Sequence, residues 1–358
     1  MLSMKFSDML MNNHLYQANY NYEEGWGYPV EERDDLFLYE ICDYFFNRME
    51  KEHVTNGSAD SPTWAPLVQR HKKIIDALMD RDIEYLHEVL RNICKSPLTL
   101  GTCGGDVLEA YYARNIGERR MFVFGVFDKL VSVAQAAGVI HAFNPEDFSY
   151  EEVMMKKPEF FLDLIAKKYQ FDISAPAYAG GNLGIETEYG VYSQRDMFGL
   201  HLALMVADRY PDRGVSICDI GGGLGHLTYY LHRLGYRNLT IVDLPTISVS
   251  QMYFLGTNLS RFNSVKFISP DEFTGNYDVV INADSFIEMS KESAARYLDL
   301  IDKNGKHLIS MNQETGPIQF ENGFRVCDIT TMKRICRFMS WVRKGWVYEE
   351  YKASVVKR

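Results

Sequence analysis

The sequence predicts an α/β protein, in which a mostly helical N-terminal part precedes a parallel sheet with helices on both faces. Three observations predict this fold class. Apolar residues recur at helical spacing before about residue 175. From residue 215 onward, short apolar runs alternate with amphipathic stretches. Glycines cluster directly after the first of those runs, in "ICDIGGGLGH" at residues 217–226. A length of 358 residues suits about two domains, which we expect at 1–174 and 175–358.

The N-terminal part contains amphipathic stretches and little strand alternation. Residues 1–34 carry glycine and proline breakers and are expected to be irregular. The segment 175–190, "APAYAGGNLGIETEYG", is typical of a long loop, and a helix should follow it with Ser193 as its N-cap. The earlier helices are predicted in residues 34–53, in 61–96 as a pair that breaks near 80–82, in 117–139 and in 157–169.

The C-terminal part alternates between strands and helices, which implies a parallel sheet. Residues 332–346 are basic with interleaved tryptophans, a pattern that suits an anionic partner but agrees better with a solvated amphipathic helix. The stretch from residue 346 has strand-like composition. Strands are predicted at 215–220, 239–243, 265–268, 277–282 and 306–311, with helices at about 224–235, 246–258 and 290–302.

Composition narrows the range of partners. The net charge of −10 argues against a nucleic-acid partner, which needs a basic face. The six cysteines include no C-x-x-C pair, as expected for reduced thiols in a cytoplasmic protein. We see no signal peptide and no apolar run long enough to span a membrane, so no membrane partner is expected.

The glycine cluster follows the first strand of the predicted sheet, where ligands bind in such folds. Gly221, Gly223 and Gly225 form a G-x-G-x-G pattern, whereas the dinucleotide pattern G-x-G-x-x-G would need a glycine at His226. Asp243 ends the second strand 22 residues after Gly221 and can accept hydrogen bonds from ribose hydroxyls. A tight turn without a ligand and a surface aspartate are the alternatives.

The segments "CDIGGGLGHLTYYL", "IVDLPTISVSQMYFLG" and "INADSFIEMSKESAARYLDLI" together resemble the bacterial sugar O-methyltransferases, a family of class I S-adenosylmethionine-dependent methyltransferases. The resemblance covers residues 175–312. It implies a Rossmann-like class I methyltransferase sheet with S-adenosylmethionine as the cofactor. It also implies methyl transfer to a hydroxyl of a sugar, a glycoside or a polyhydroxylated natural product. We expect the N-terminal helices to close over this acceptor. The same helices could form a homodimer.

Three alternatives stay open. The same fold methylates phenolic oxygens or nitrogens, although a His-Asp pair typical of phenol methylation is absent after the fourth strand. A nicotinamide-dependent oxidoreductase and a non-catalytic binding module are the others.

On this interpretation, the sequence supplies a candidate cofactor set. Asp271, after the third strand, would contact the adenine amino group, or it is a capping carboxylate. The loop before the first strand would form a lid, with Arg195 pairing with the cofactor carboxylate. The candidate cofactor residues are Asp219, Gly221, Gly222, Gly223, Gly225, Asp243, Leu244, Asp271, Asn282 and Tyr192.

The candidate general bases are Asp284 and Glu288, which follow the fourth strand and lie one helical turn apart if a helix has begun there. Glu288 would otherwise cap the next helix, and Asp284 would otherwise hold the cofactor. His226 and His201 are further catalytic candidates, although a lone histidine is more often a hydrogen-bonded structural residue. Asp284, Glu288 and Asn282 also offer oxygen ligands of the kind that a divalent cation such as magnesium accepts, although no spacing identifies a metal site.

Overall fold

The computed structural model describes residues 22–26, 33–51, 66, 69–103, 116–141, 149–259, 261, 264–313, 324–343 and 345–354. The prediction of irregular structure over residues 1–34 falls mostly outside these ranges.

The N-terminal part is helical, as predicted. Its helices are α1 Asp35–Lys51, α2 Lys72–Asp80, α3 Ile83–Leu90, α4 Ile116–Ala136, α5 Ser149–Met154 and α6 Pro158–Tyr169. The predicted break near residues 80–82 is confirmed, because Arg81 has a left-handed φ of 53° between α2 and α3. Asp82 caps α3 by accepting a hydrogen bond from the Tyr85 N–H (3.1 Å).

A small antiparallel sheet corrects the second part of the loop predicted at 175–190, whereas residues 175–183 have no regular structure, as predicted. It consists of β1 Glu23–Gly25, β2 Gly184–Thr187 and β3 Gly190–Tyr192. Gly190 has a φ of 103°, which allows the tight turn between β2 and β3. Gly184 lies so close to β3 that a Cβ would meet the Tyr192 carbonyl oxygen at 1.9 Å. Two of the glycines that suggested a loop, Gly184 and Gly190, therefore belong to a hairpin.

The main sheet has seven strands: β4 Ile217–Ile220, β5 Leu239–Val242, β6 Val265–Ile268, β7 Val279–Ala283, β8 His307–Gln313, β9 Lys333–Met339 and β10 Trp346–Lys352. Their order is β6-β5-β4-β7-β8-β10-β9. The first five of these, β6 to β8, are parallel, and β10 runs antiparallel to both of its neighbours. This is the Rossmann-like sheet expected from the sequence, with its switch point between β4 and β7.

Residues 332–346 form no helix, contrary to the sequence interpretation, because the described residues of this stretch include the edge strand β9. Phe338 stacks on Tyr348 of β10, with ring centroids 4.6 Å apart, and Arg334 pairs with Glu349 at 2.7 Å. These contacts lie across the strand pair.

Helices cover both faces of the sheet. They are α7 Gln194–Arg209, α8 His226–Arg233, α9 Pro245–Asn258, α10 Lys291–Asn304 and α11 Val326–Ile329. One hydrophobic cluster joins α1, α4, α7 and α9 to one face, and a second joins α10 to the other. Ser193 caps α7 as predicted, in a capping box with Asp196. The division at residue 174 remains a prediction.

None of the helices within the described ranges is long and apolar enough to cross a membrane. All six cysteines are free thiols.

Candidate active site

A cleft of about 260 Å³ opens at the carboxyl ends of β4, β5 and β7. This is the switch point of the sheet, where ligands bind in open α/β folds. The residues that line it include Gly101, Thr102, Arg195, Phe198, Asp219, Gly221, Gly222, Gly223, His226, Asp243, Leu244, Asp271, Asp284, Glu288, Met289 and Arg296.

The glycine turn between β4 and α8 has three positive φ angles, at Gly221 (68°), Gly223 (61°) and Gly225 (103°). A Cβ on Gly221 would lie 2.2 Å from Ser285 Oγ, and one on Gly225 would lie 3.0 Å from Leu255 Cδ1. A Cβ on Gly223 would meet nothing nearer than Thr102 Cγ2, at 4.0 Å. Packing within the protein therefore requires Gly221 and Gly225, and only Gly223 faces open space.

Asp243 ends β5 and is tied to the glycine turn. Its Oδ1 accepts from the Leu244 N–H (2.9 Å) and its Oδ2 from Gln251 Nε2 (2.7 Å). The same Gln251 nitrogen donates to the Gly223 carbonyl oxygen at 3.0 Å. Burial raises the pKa of Asp243 to about 7, while the hydrogen bonds from Leu244 and Gln251 act in the opposite direction. This carboxylate is thus held rigidly beside the turn.

Asp219 is a second buried acid of the cleft. Burial, and then the charge of Asp243, raise the pKa of Asp219 to about 7. Its Oδ2 would lie 2.9 Å from a Cβ on Gly222, so its carboxylate lies directly behind the turn. Among the described residues, five carboxylates and two guanidinium groups line the cleft, so its described lining is acidic.

Asp284 lies just past β7 with a left-handed φ of 68°, uncommon for a residue other than glycine. Its Oδ2 is 2.7 Å from Arg343 Nη2. Burial raises the pKa of Asp284, and the charges of Arg343 and Arg195 partly offset this effect. A carboxylate that remains paired with a cation yet is more basic than an exposed aspartate is suited to accept a proton.

Glu288 also lines the cleft, but it does not cap the following helix. It ends a 3-10 turn, Phe286–Glu288, and Ser290 caps α10 by accepting from the Ser293 N–H (3.1 Å). The condition for one helical turn between Asp284 and Glu288 is not met, because Asp284 has a left-handed backbone and the α-helix begins only at Lys291.

His226 is held in a buried polar network. Tyr178 OH donates to Asp196 Oδ2 (2.6 Å) and lies 2.9 Å from His226 Nε2. Because Tyr178 has one hydroxyl hydrogen, the network assigns the donor role to His226 Nε2–H. Burial, and then the charge of Arg195, lower the pKa of His226 to about 3. His226 is therefore neutral and a weak base, although its side chain borders the cleft.

Several candidates lie outside the cleft lining. Asn282 Nδ2 donates to the Ile220 carbonyl oxygen (3.1 Å), and its Oδ1 accepts from the Phe286 N–H (3.3 Å). Tyr192 is buried and donates to the Ile173 carbonyl oxygen. Gly225 and His201 are also outside, and burial lowers the pKa of His201 to about 4. The side-chain contacts of Asn282 and Tyr192 are made within the protein, so these two residues support the structure around the site.

The described residues contain no group of three or more His, Cys, Asp or Glu side chains placed to hold a metal ion. Of the three proposed oxygen ligands, the Asn282 amide is used within the protein and Asp284 is paired with Arg343. The donor set therefore does not fit the suggested divalent cation.

Sequence reasoning missed the contributions from distant segments. Gly101 and Thr102, from the helical N-terminal part, line the cleft without any motif that marks them. Arg343 contacts the site from the far C-terminal segment, where the only signal was a basic stretch. Phe198 lines the cleft from α7, in a helix that was predicted but without an assigned role.

No family model matches this sequence, and no curated protein matches it. Magnesium protoporphyrin IX methyltransferase (ChlM) from Synechocystis PCC 6803 with bound SAM is similar, at 16% identity and a TM-score of 0.37, over 44% of this chain and 80% of that one. The glycopeptide N-methyltransferase MtfA with S-adenosyl-L-homocysteine is similar at 11% identity and a TM-score of 0.37, over 43% of this chain and 90% of that one. The N-methyltransferase NodS from Bradyrhizobium japonicum WM9 is similar at 15% identity and a TM-score of 0.36, over 45% of this chain and 87% of that one. At these identities and TM-scores, the similarities assign neither an activity nor a substrate to this chain.

Proposed function

We propose that this chain is an S-adenosylmethionine-dependent methyltransferase that methylates a hydroxyl of a sugar, a glycoside or a polyhydroxylated natural product. The acidic lining of the cleft carries the proposal. Five carboxylates of the described residues line the cleft, and the backbone at Gly223 leaves space for a ligand. A ligand with a positive charge is favoured there.

The residues of the cleft fit this cofactor. Asp243, Asp271 and Arg195 all line the cleft. On this proposal, Asp243 would accept hydrogen bonds from ribose hydroxyls, Asp271 would accept one from the adenine amino group, and Arg195 would pair with a carboxylate. When bound, S-adenosylmethionine supplies a methyl group that is activated by the positive charge on its sulfur. A dinucleotide fits less well, because its pyrophosphate would lie against the glycine turn with the Asp219 carboxylate directly behind it.

The acceptor end of the cleft supports oxygen chemistry on an aliphatic hydroxyl. A sugar hydroxyl is weakly acidic, so it needs a base as it reacts, and Asp284 is a buried carboxylate of raised pKa in the lining. Glu288 is the second carboxylate at this end. Phe198 and Met289 supply apolar surface that excludes water. We also propose that the helical N-terminal part contacts the acceptor, since its residues Gly101 and Thr102 line the cleft.

Turnover on a panel of acceptors tests this proposal. The purified protein would be incubated with S-adenosylmethionine and sugars, glycosides, phenols or amines, and S-adenosylhomocysteine would be measured. We expect production with sugars or glycosides, and an Asp284→Asn variant to lower it by about 10²–10⁴-fold, the usual contribution of a general base. Turnover on phenols or amines alone would contradict the acceptor class, and full activity of Asp284→Asn would place the base elsewhere.

A further inference from the structure

The connection between β9 and β10 brings one arginine to the candidate base. Trp346 of β10 pairs with Gln313 at the carboxyl end of β8, and the Asp284 N–H bonds to the Met311 carbonyl oxygen of β8 at 2.9 Å. The β9–β10 connection is therefore at the same end of the sheet as the cleft. Arg343 in this connection reaches Asp284, with Nη2 2.7 Å from Oδ2.

Aromatic contacts hold the Arg343 guanidinium in place. Its central carbon lies 3.6 Å from the ring centroid of Trp346 and 4.8 Å from that of Phe198. The second terminal nitrogen, Nη1, is buried and has no hydrogen-bond acceptor among the described residues. A buried donor without an acceptor is costly, so this position does not maximise the hydrogen bonding of the arginine.

Asp284 is restrained by its backbone and by the ion pair. Its left-handed φ of 68° is uncommon for a residue other than glycine. The ion pair engages Oδ2 of a carboxylate that lines the cleft. Only 19% of the Asp284 side chain is exposed, so solvent screens the pair weakly.

We propose that Arg343 is a positioning residue, which orients the Asp284 carboxylate and keeps it ionised for proton removal from the acceptor hydroxyl. The inference deepens the proposed function and rests on it for the role of base. In the step, the acceptor O–H bond breaks, the proton forms a bond to the Asp284 carboxylate, and the electron pair stays on the acceptor oxygen. Arg343 does not touch the reacting atoms and remains a cation throughout.

The charges around Asp284 determine the sign of the expected effect. Arg343 approaches from the β9–β10 connection, Arg195 from α7, and Glu288 lies four positions further along the chain. Burial raises the pKa of Asp284, and the two arginines lower it. Loss of Arg343 should therefore raise this pKa further, because burial remains and one of the two compensating cations is gone.

The first test measures Asp284 directly and needs no acceptor. Carbon-13 NMR of labelled aspartate carboxyls would follow the titration of Asp284, assigned by its absence in Asp284→Asn. We expect Arg343→Met, which retains a long side chain between the two rings, to raise the pKa of Asp284 by about 1–3. Arg343→Lys should produce a smaller rise, and it replaces the first variant if that variant does not fold.

The matched control is Arg213→Met. Arg213 also stacks on an aromatic ring, at 4.5 Å from the Tyr236 centroid, and it does not line the cleft. This substitution should leave the pKa of Asp284 unchanged. An identical pKa in the wild type and in both Arg343 variants would overturn the inference.

The second test separates this inference from the proposed function. In the wild type, kcat should rise with pH as Asp284 ionises, and Arg343→Met should move that rise to higher pH with KM and cofactor affinity within about twofold. An equal loss at every pH would overturn the positioning role while the methyltransferase assignment stands. A wild type that binds no S-adenosylmethionine would overturn the assignment and the base role together, whatever the titration shows.

Discussion

At the residue scale, the cleft combines buried acids with glycines of two kinds. Asp219 and Asp243 interact electrostatically, no described cation forms an ion pair with either, and burial raises the pKa of both to about 7. Gly221 is required by Ser285, whereas Gly223 is next to open space. The two aspartates can therefore bind a positively charged group. Of the two glycines, Gly221 is needed for packing and Gly223 leaves room for a ligand.

The acids give a pH-dependent stability whose sign is defined. Their folded-state pKa lies above the unfolded value of about 3.9, so the folded protein binds more protons between about pH 4 and pH 7. The free energy of unfolding of the cofactor-free protein should therefore fall as the pH rises through this window. Asp243→Asn should remove part of that fall. Urea unfolding at pH 5 and pH 8 would measure the free energy of unfolding of both proteins. A fall between these pH values that is as large in Asp243→Asn as in the wild type would contradict the expectation.

The glycines offer a matched pair of substitutions. Gly221→Ala should destabilise the fold by more than the roughly 1–2 kcal/mol of a left-handed alanine, because its Cβ would lie 2.2 Å from Ser285 Oγ. Gly223→Ala should cost about that amount alone, yet weaken S-adenosylmethionine binding, since its Cβ enters the ligand space. Thermal unfolding and calorimetry would compare the two. Equal stability of both variants would contradict the packing role of Gly221.

At the element scale, the sequence predicted the parallel strands well because each is a short apolar run that is buried on both faces. β5 and β6 match their predicted ranges to within one residue. The hairpin of β2 and β3 and the edge strand β9 were missed, since glycines and charged residues hide their pairing. Such strands are specified by their partners, and local periodicity does not reveal them.

The buried network that joins the β3–α7 junction to α8 gives a prediction at this scale. Tyr178→Phe should remove the hydroxyl between Asp196 and His226 and leave two buried groups with fewer partners. We expect a loss of about 1–3 kcal/mol of stability. Because His226 is assigned a structural role, turnover below the unfolding temperature should change little. Circular dichroism melts and turnover at low temperature would check both parts, and an inactive but stably folded variant would return His226 to the catalytic candidates.

At the scale of the whole molecule, the site is assembled from segments far apart in the sequence. The turn and Asp243 were recognisable because they lie in one strand–helix–strand unit. The contacts of Gly101 and Thr102 with the cleft, and of Arg343 with Asp284, join segments separated by many elements and carry no local pattern. A sequence without aligned relatives therefore identifies the cofactor half of the site more readily than the acceptor half.

The charge of the cleft links cofactor binding to protons. Asp219 and Asp243, with a pKa of about 7 each, must lose protons to favour a cation in the cleft. S-Adenosylmethionine affinity should therefore rise between pH 6 and pH 8, with proton release, and by less in Asp243→Asn. Calorimetry in buffers of different ionisation enthalpy would count the protons. Affinity that is independent of pH would show that these acids do not respond to the ligand.

One calorimetric comparison tests the claim that the acidic cleft binds a sulfonium nucleoside. The intact protein would be titrated at pH 8 with S-adenosylmethionine and, separately, with NAD. We expect binding of S-adenosylmethionine alone, weakened about 10–100-fold in Asp243→Asn by loss of a charged hydrogen-bond acceptor. Binding of NAD with no binding of S-adenosylmethionine would contradict the claim.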